Sequence, residues 1–302
     1  FRRVLFRSEG LQLDQIKVYE EGKLVDPVYR IIKDNIRFPE SSLGDMKSQM
    51  AACRLGNKRL DELFTKYGKD TVLACIAQIF DETDVKCRNV ISQLKDGEYE
   101  AASWFDDDGV KEGERVPLHA KVIVNKGRMV IDLSKCSSER KAAVNSRSLA
   151  GARVAYKAIT GPLDPVNEGS FRALDVIIPE GNIMMARYPA PMANWSSFIP
   201  TVVDTIIKAL SPAMPDKVPA AHHGLLGGAV VFFGVDPKTK RRFVVQSIEG
   251  GGWGGRPMED GESGTVSVCQ GDVRNGSIEG IELKCPVMVC ARELRRDSSG
   301  AG

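Results

Sequence analysis

The sequence predicts an α+β (mixed α/β) fold in which an N-terminal helical hairpin is followed by a strand-rich mixed region. Two observations carry this prediction. Apolar residues before Gly97 recur at three- and four-residue spacing, whereas from Tyr99 onward they alternate or gather in short β-branched runs. Elements of the two kinds are thus segregated along the chain, as in α+β domains, and no internal repeat points to a solenoid.

The first eight residues, FRRVLFRS, lack the apolar stretch of a targeting peptide. They match one reading frame of a widely used sequencing-adapter oligonucleotide, so Phe1 to Ser8 are read as a non-native scar. Residues 9–97 are expected to be a helical segment and 98–302 a mixed region continuous with it. In DPVYRIIKDNIRFPE, Val28, Ile31, Ile32 and Ile36 give a short helix closed before Pro39. Met46, Met50, Cys53, Leu60, Leu63 and Phe64 line a longer one that stops at Gly68. Val72, Ile76, Ile79, Val90, Ile91 and Leu94 line the next, with Asp70 as N-cap and Gly97 as stop. Residues 41–97 read as a helical hairpin packed through its apolar faces.

EYEAASWF, VPLHAKVIV and RMVIDLS then read as strands, the last two joined by a hairpin turn at Asn125–Gly127. A helix is expected over residues 144–160, a strand and turn over 170–182, and a helix over 198–210, where Val202, Ile206 and Leu210 share one side. Residues 228–250 read as a hairpin around Asp236–Pro237, and LKCPVMVCAREL as a last strand.

A chain of 302 residues is long enough to bury a large core without covalent staples. Its 42 basic and 40 acidic residues leave a net charge of +2, which gives no electrostatic footprint for nucleic acid or an anionic membrane. The seven cysteines include no C-x-x-C pair, which fits free thiols in a reducing, cytoplasmic setting. No apolar run approaches the roughly 20 residues needed to span a bilayer.

The run GGGWGGRP, Gly250 to Pro257, follows a strand and formally satisfies G-x-G-x-x-G at Gly250, Gly252 and Gly255. A dinucleotide fingerprint needs a helix opening behind its glycines, so that the helix amides face the pyrophosphate. Pro257 and the polar MEDGESG follow instead. The run therefore reads as a tight turn in which backbone passes close to backbone or ligand. His222 and His223, adjacent in PAAHHGLLGG, are candidate proton carriers, although extended backbone would point them to opposite sides. Glu249 abuts the glycines and is a third candidate catalytic group. Arg256 leaves the run and, with Asn275 of GDVRNGSIEG, is a candidate for binding substrate. Glu249 and Arg256 can equally pair with each other. His119 reads as structural or solvent-facing, and Asp106–Asp108 as a turn rather than a cation loop. No H-x-x-x-H or Cys/His cluster supports a metal site, so metal ligands are assigned to none of these residues.

Several segments in fixed order, DNIRFPESSLGDMKSQMAACRLGNKRLDELFTKYG, PVNEGSFRALDVIIPEGN, VPAAHHG, GGGWGGRPMEDG, VRNGSIEGIE and ELRRDSSGAG, together resemble the hydantoinase B / oxoprolinase family from about Leu13 to Gly302. The resemblance implies a B-type subunit, or half of a fused chain, in an enzyme that couples ATP hydrolysis to the opening of a cyclic amide such as an N-methylhydantoin or 5-oxoproline. It implies that ATP, with Mg, is handled by a hydantoinase A-type partner, in keeping with the poor nucleotide fit of Gly250–Gly255. Amide resonance protects a lactam, and a phosphorylated oxygen makes it a better electrophile; the B-type chain is then expected to hold the activated substrate away from bulk water. Related members carboxylate ketones with ATP, and a third reading makes the chain a non-catalytic assembly subunit. The family's N-terminal His and Asp residues, which suit a divalent metal, lie outside this stretch, and the chain is expected to be truncated at both ends. PAPMANWSSF departs from the family pattern, with Trp195 where a small polar residue is usual.

Overall fold

The computed structural model describes residues 13, 15–36, 38–192, 198–224, 228–266, 276–294 and 296–297. The chain divides into two compact units, Phe1–Thr83 and Asp84–Gly302. The first unit opens with two short strands, β1 (Tyr19–Glu20) and β2 (Lys23–Leu24), joined by a turn in which Glu21 and Gly22 both have positive φ. That geometry is the one that matches strand twist in a two-residue hairpin.

Helix α1 (Asp26–Asn35) places Pro27 in its first turn, where the missing N–H costs no hydrogen bond, and Asp26 pairs with Arg30 one turn on at 2.7 Å. The helix ends at Asn35, before Pro39 as expected, and Pro39 itself opens α2 (Pro39–Tyr67), for the same reason that a proline is tolerated in a first turn. Gly68, with φ 83°, ends α2 as anticipated, and α3 (Lys69–Ile91) begins at the next residue. Asp70 lies inside the first turn of α3 rather than capping it, and the helix stops at Ile91, six residues short of Gly97. The helical pair is present, but its expected packing is not: Leu60, Leu63, Leu73 and Ile79 are all exposed, and Leu43 is the one buried residue of α2.

The second unit is built on a sheet ordered β3 (Gly97–Phe105), β4 (Val116–Asn125), β5 (Arg128–Asp132) and β6 (Leu174–Ile177). The first three pair antiparallel and β6 joins β5 in parallel. Lys126 and Gly127, both at positive φ, make the tight β4–β5 turn. The period of two in β4 puts Val116, Leu118, Ala120, Val122 and Val124 on one fully buried face. Two helices, α4 (Ala150–Thr160) and α5 (Ile199–Ala209), contribute to the same core through Ala152, Ala155, Tyr156, Val202, Val203 and Ile206. A Cβ on Gly151 would come 3.1 Å from Val202 Cγ1, so glycine there lets the two helices approach closely.

The helix expected from residue 144 begins only at Ala150. Residues 146–148 are taken up by extended pairing: Ser146 N–H donates to Ile183, Ser148 N–H to Met184, and Ser146 carbonyl accepts from Ala186. Ser148 Oγ then accepts the Ala150 N–H at 3.0 Å, which satisfies one of the donors at the helix start. A separate antiparallel pair, β7 (Gly228–Val235) and β8 (Arg242–Glu249), turns at Asp236, whose carboxylate accepts from the Lys238 and Thr239 amides. The last expected strand is not found: Ser277 caps the short helix α6 (Ile278–Lys284), and the described residues after it form no strand.

Candidate functional site

The glycine run and the paired histidines meet in one compact subsite. The Ala220 amide donates to Gly255 carbonyl at 2.8 Å and the His223 amide to Gly252 carbonyl at 3.3 Å, so the chain from 220 to 223 lies along the run. On its other side, the Gly252 amide donates to Thr265 and the Trp253 amide to Glu262. The run is thus the middle of three backbone layers, and its composition follows from that. Added Cβ atoms at Gly250, Gly251, Gly254 and Gly261 would each sit well under 3.0 Å from neighbouring backbone or, at Gly251, from the His223 ring.

This packing answers the nucleotide question. In a phosphate cradle the glycines leave room for the ligand's oxygens, whereas here the space beside them is filled by residues 220, 223, 253 and 262–265. No helix opens directly behind Gly255, since residues 256–266 are turn and irregular backbone. The run does not fit ATP.

His222 and His223 do not point to opposite sides as extended chain would have them. Their rings lie edge to face with centroids 5.2 Å apart. The His222 side chain is only 4% exposed and its Nδ1 forms a short contact with Asp204 Oδ2 on α5. His223 Nδ1 faces Gly252 carbonyl at 3.2 Å. Carboxylate and carbonyl oxygens only accept, so each ring donates from Nδ1, and in the neutral imidazole Nε2 is then the acceptor. Both Nε2 atoms are buried and have no hydrogen-bond partner among the described residues. Asp204, which the sequence does not single out, is the group that orients His222; one turn earlier on α5, Thr201 hydroxyl donates to Gly224 carbonyl at 3.0 Å and fixes the histidine segment to the helix.

Glu249, at the end of β8, is fully engaged. Its Oε1 accepts from Ser247 hydroxyl and its Oε2 from Arg292, each at 2.6 Å. Burial opposes its ionisation, but these two donors outweigh burial and hold the carboxyl below its usual range. An ionised carboxylate with both oxygens committed holds structure together more readily than it takes a proton. Arg256 does not pair with Glu249; it forms an ion pair with Glu259 across a two-residue turn closed by reciprocal backbone hydrogen bonds. The structure therefore brings His222 and His223 together and gives Glu249 and Arg256 separate partners. Asn275 lies outside the described residues, as does Trp195.

Two other sequence candidates resolve as scaffold. His119 Nε2 pairs with Glu100 at 3.0 Å across β3 and β4. Asp107 and Asp108 organise the loop after β3: Asp108 accepts from the Val110 and Lys111 amides and from Arg140 Nε at 2.9 Å. Its side chain is 4% exposed, so this is a buried ion pair rather than the solvated turn expected. The Lys111 amide leads the interactions that bring the Asp108 carboxyl down to about 2 against the opposing effect of burial. No group of three or more His, Cys, Asp or Glu arranged for a metal occurs among the described residues.

Comparison with known proteins identifies the family of the chain. Residues 5–302 match the family described as Hydantoinase B/oxoprolinase. The chain is 33% identical over 310 residues to the B-type chain of a putative D-/L-hydantoinase from Pseudomonas sp. (strain NS671), covering 98% of this chain and 51% of that protein. It is 28% identical to the β-chain of the caprolactamase from Pseudomonas jessenii, covering 98% of this chain and 52% of that one. The crystal structure of the ATP-dependent caprolactamase from Pseudomonas jessenii superposes with a TM-score of 0.89 at 27% identity, over 100% of this chain and 53% of that chain. A nucleotide-free acetone carboxylase shares the fold, with a TM-score of 0.79 at 16% identity over 90% of this chain and 39% of that one. The chain thus spans about half the length of the curated relatives it matches. It belongs to the hydantoinase B/oxoprolinase family.

Proposed function

From this family membership we propose that the chain is the B-type part of an ATP-dependent cyclic-amide hydrolase, working with a hydantoinase A-type partner that handles ATP and Mg. The observation that supports the division of labour is the glycine run: the space beside it is occupied by the protein's own backbone and by His223, which favours a nucleotide site on the partner. What this chain contributes is the substrate side, a rigid, glycine-laced subsite with two oriented imidazoles. The names of the hydantoinase and caprolactamase relatives support a small cyclic amide as substrate class. No helix among the described residues is long and apolar enough to cross a membrane; a cytoplasmic location is part of the same proposal.

The test is phosphate release by the chain copurified with its A-type partner, supplied in turn with 5-oxoproline, hydantoins, caprolactam, and ketone plus bicarbonate. ATP turnover coupled to a ring-opened product is the expected result. The 25% identity to the delta chain of an acetophenone carboxylase from Aromatoleum aromaticum supports a second reading, ketone carboxylation. Stimulation by ketone plus bicarbonate alone would establish that reading and reject the first. Turnover of a cyclic amide that is unchanged by substitution of both His222 and His223 would instead make the chain an assembly subunit.

A further inference from the structure

The buried edges of His222 and His223 have an acceptor too many. In the neutral imidazole each ring spends its one N–H on a fixed oxygen, and neither buried Nε2 has a partner among the described residues. A buried polar atom without a partner is unfavourable, and its presence in a tightly packed region asks for an occupant. His222 is the stronger case, since its side chain is 4% exposed and anchored to Asp204.

We propose that His222 and His223 form a binding site for a late first-row divalent cation such as Zn²⁺, with Asp204 and Gly252 carbonyl as the oxygens that orient the two ligands. Three features support it. Metal-bound histidines almost always donate their other ring N–H to a carboxylate or a backbone carbonyl, and these two histidines show one of each. The ring separation fits: two imidazoles bound through Nε2 at about 2.0–2.1 Å around a tetrahedral ion hold their centroids roughly 5 Å apart, and here the distance is 5.2 Å. The donor type selects the ion, because neutral imidazole suits Zn²⁺, Co²⁺ or Ni²⁺ and is a poor ligand for Mg²⁺ or Ca²⁺. Two protein ligands supply two of the coordination positions of a tetrahedral ion.

The site uses the same two histidines as the substrate-side subsite proposed above, and its test reads metal binding by the chain itself, so it can fail or succeed independently of the hydrolase reading. The glycines give it rigidity, since a Cβ at Gly251 would overlap the His223 ring. The electron count is simple: both nitrogens donate existing lone pairs, and no proton need leave either ring.

The experiment is titration of the chelator-treated chain with Co²⁺ alone, read by visible d–d absorption, and with Zn²⁺ in competition. One equivalent is expected to bind, and Mg²⁺ is expected not to displace it. His222→Gln and His223→Gln should each abolish the absorption, and Asp204→Asn should weaken binding about 10–100-fold. His119→Gln is the control, because His119 lies on the sheet with its own carboxylate partner, and should bind Co²⁺ as the parent does. Far-ultraviolet circular dichroism of each variant separates loss of ligand from loss of fold; should either glutamine variant unfold, a crystal of the parent chain soaked in Zn²⁺ decides through its anomalous signal between the two Nε2 atoms. Absence of one-equivalent binding by the parent, binding that survives both glutamine variants, or a water molecule in that place overturns the proposal.

Discussion

The second unit contains two buried acid–base pairs that are alike in composition and differ in what they leave over. Asp108–Arg140 is saturated: the carboxylate takes two backbone amides and the guanidinium, and Arg140 spends a second nitrogen on Glu114 at 3.0 Å. Asp204–His222 satisfies Nδ1, and Nε2 has no partner among the described residues. A satisfied buried pair fixes a loop; the second pair, held through Asp204, carries the ring nitrogen at which the proposed cation would bind. The glycine run sharpens the contrast, because it immobilises the unsatisfied pair's neighbour at the expense of four positions that accept no side chain.

The largest effect is therefore expected at the glycines. Gly250→Ala and Gly251→Ala force a methyl group into backbone of residues 264–265 or into the His223 ring, and neither neighbour is a flexible side-chain end. A loss of more than about 3 kcal/mol in denaturant unfolding is expected, in the range of severe overpacking. Gly56→Ala, on the exposed face of α2 with nothing within 4 Å, is expected to stabilise by up to about 1 kcal/mol. Equal effects at Gly251 and Gly56 would break the three-layer description.

Next comes the saturated pair. Removing Arg140 by substitution to Met strands the Asp108 carboxylate in a buried place, and about 3 kcal/mol is expected to be lost at neutral pH. Asp108 is held at about 2 against an ordinary value of 3.8, so its contribution of about 2 kcal/mol is complete above roughly pH 4 and disappears as pH falls through 2. Asp108→Asn should accordingly destabilise at pH 7 and flatten the fall in stability between pH 4 and 2. An unchanged acid limb would show that other carboxylates govern it.

How far the sequence could see these differences depends on the range of the interaction. Period alone located β3, β4 and β5, because the alternation from Tyr99 to Asp132 is written in consecutive residues. It overextended the helix before Ala150, where Ser146 and Ser148 pair with residues 183–186, some forty positions away. It also read LKCPVMVCAREL as a strand, although Ser277 had already supplied a helix cap just upstream. The candidate site divides in the same way. Two adjacent histidines beside glycines were visible, and the failure of the run as a nucleotide loop followed from Pro257. Asp204 was not visible, since one aspartate on a helix carries no signal until the fold sets it against His222. The pairing of Glu249 with Arg292 rather than Arg256 was equally a matter of tertiary choice.

The smallest effect tests whether charge alone would have served. Arg256 and Glu259 are both about half exposed, their ion pair spans a tight turn, and solvent screens it. Glu259→Ala is expected to change stability by no more than about 0.5 kcal/mol, because the turn keeps its two backbone hydrogen bonds between residues 256 and 259. With the side-chain partner removed, Arg256 gains freedom to meet an anionic ligand, so a substrate-binding role for Arg256 predicts that Glu259→Ala leaves substrate affinity equal or tighter, while Arg256→Ala weakens it. A matched loss in both variants would instead assign the pair to the turn, and would place Arg256 with Asp108 and Arg140 among the residues whose charges are already spent.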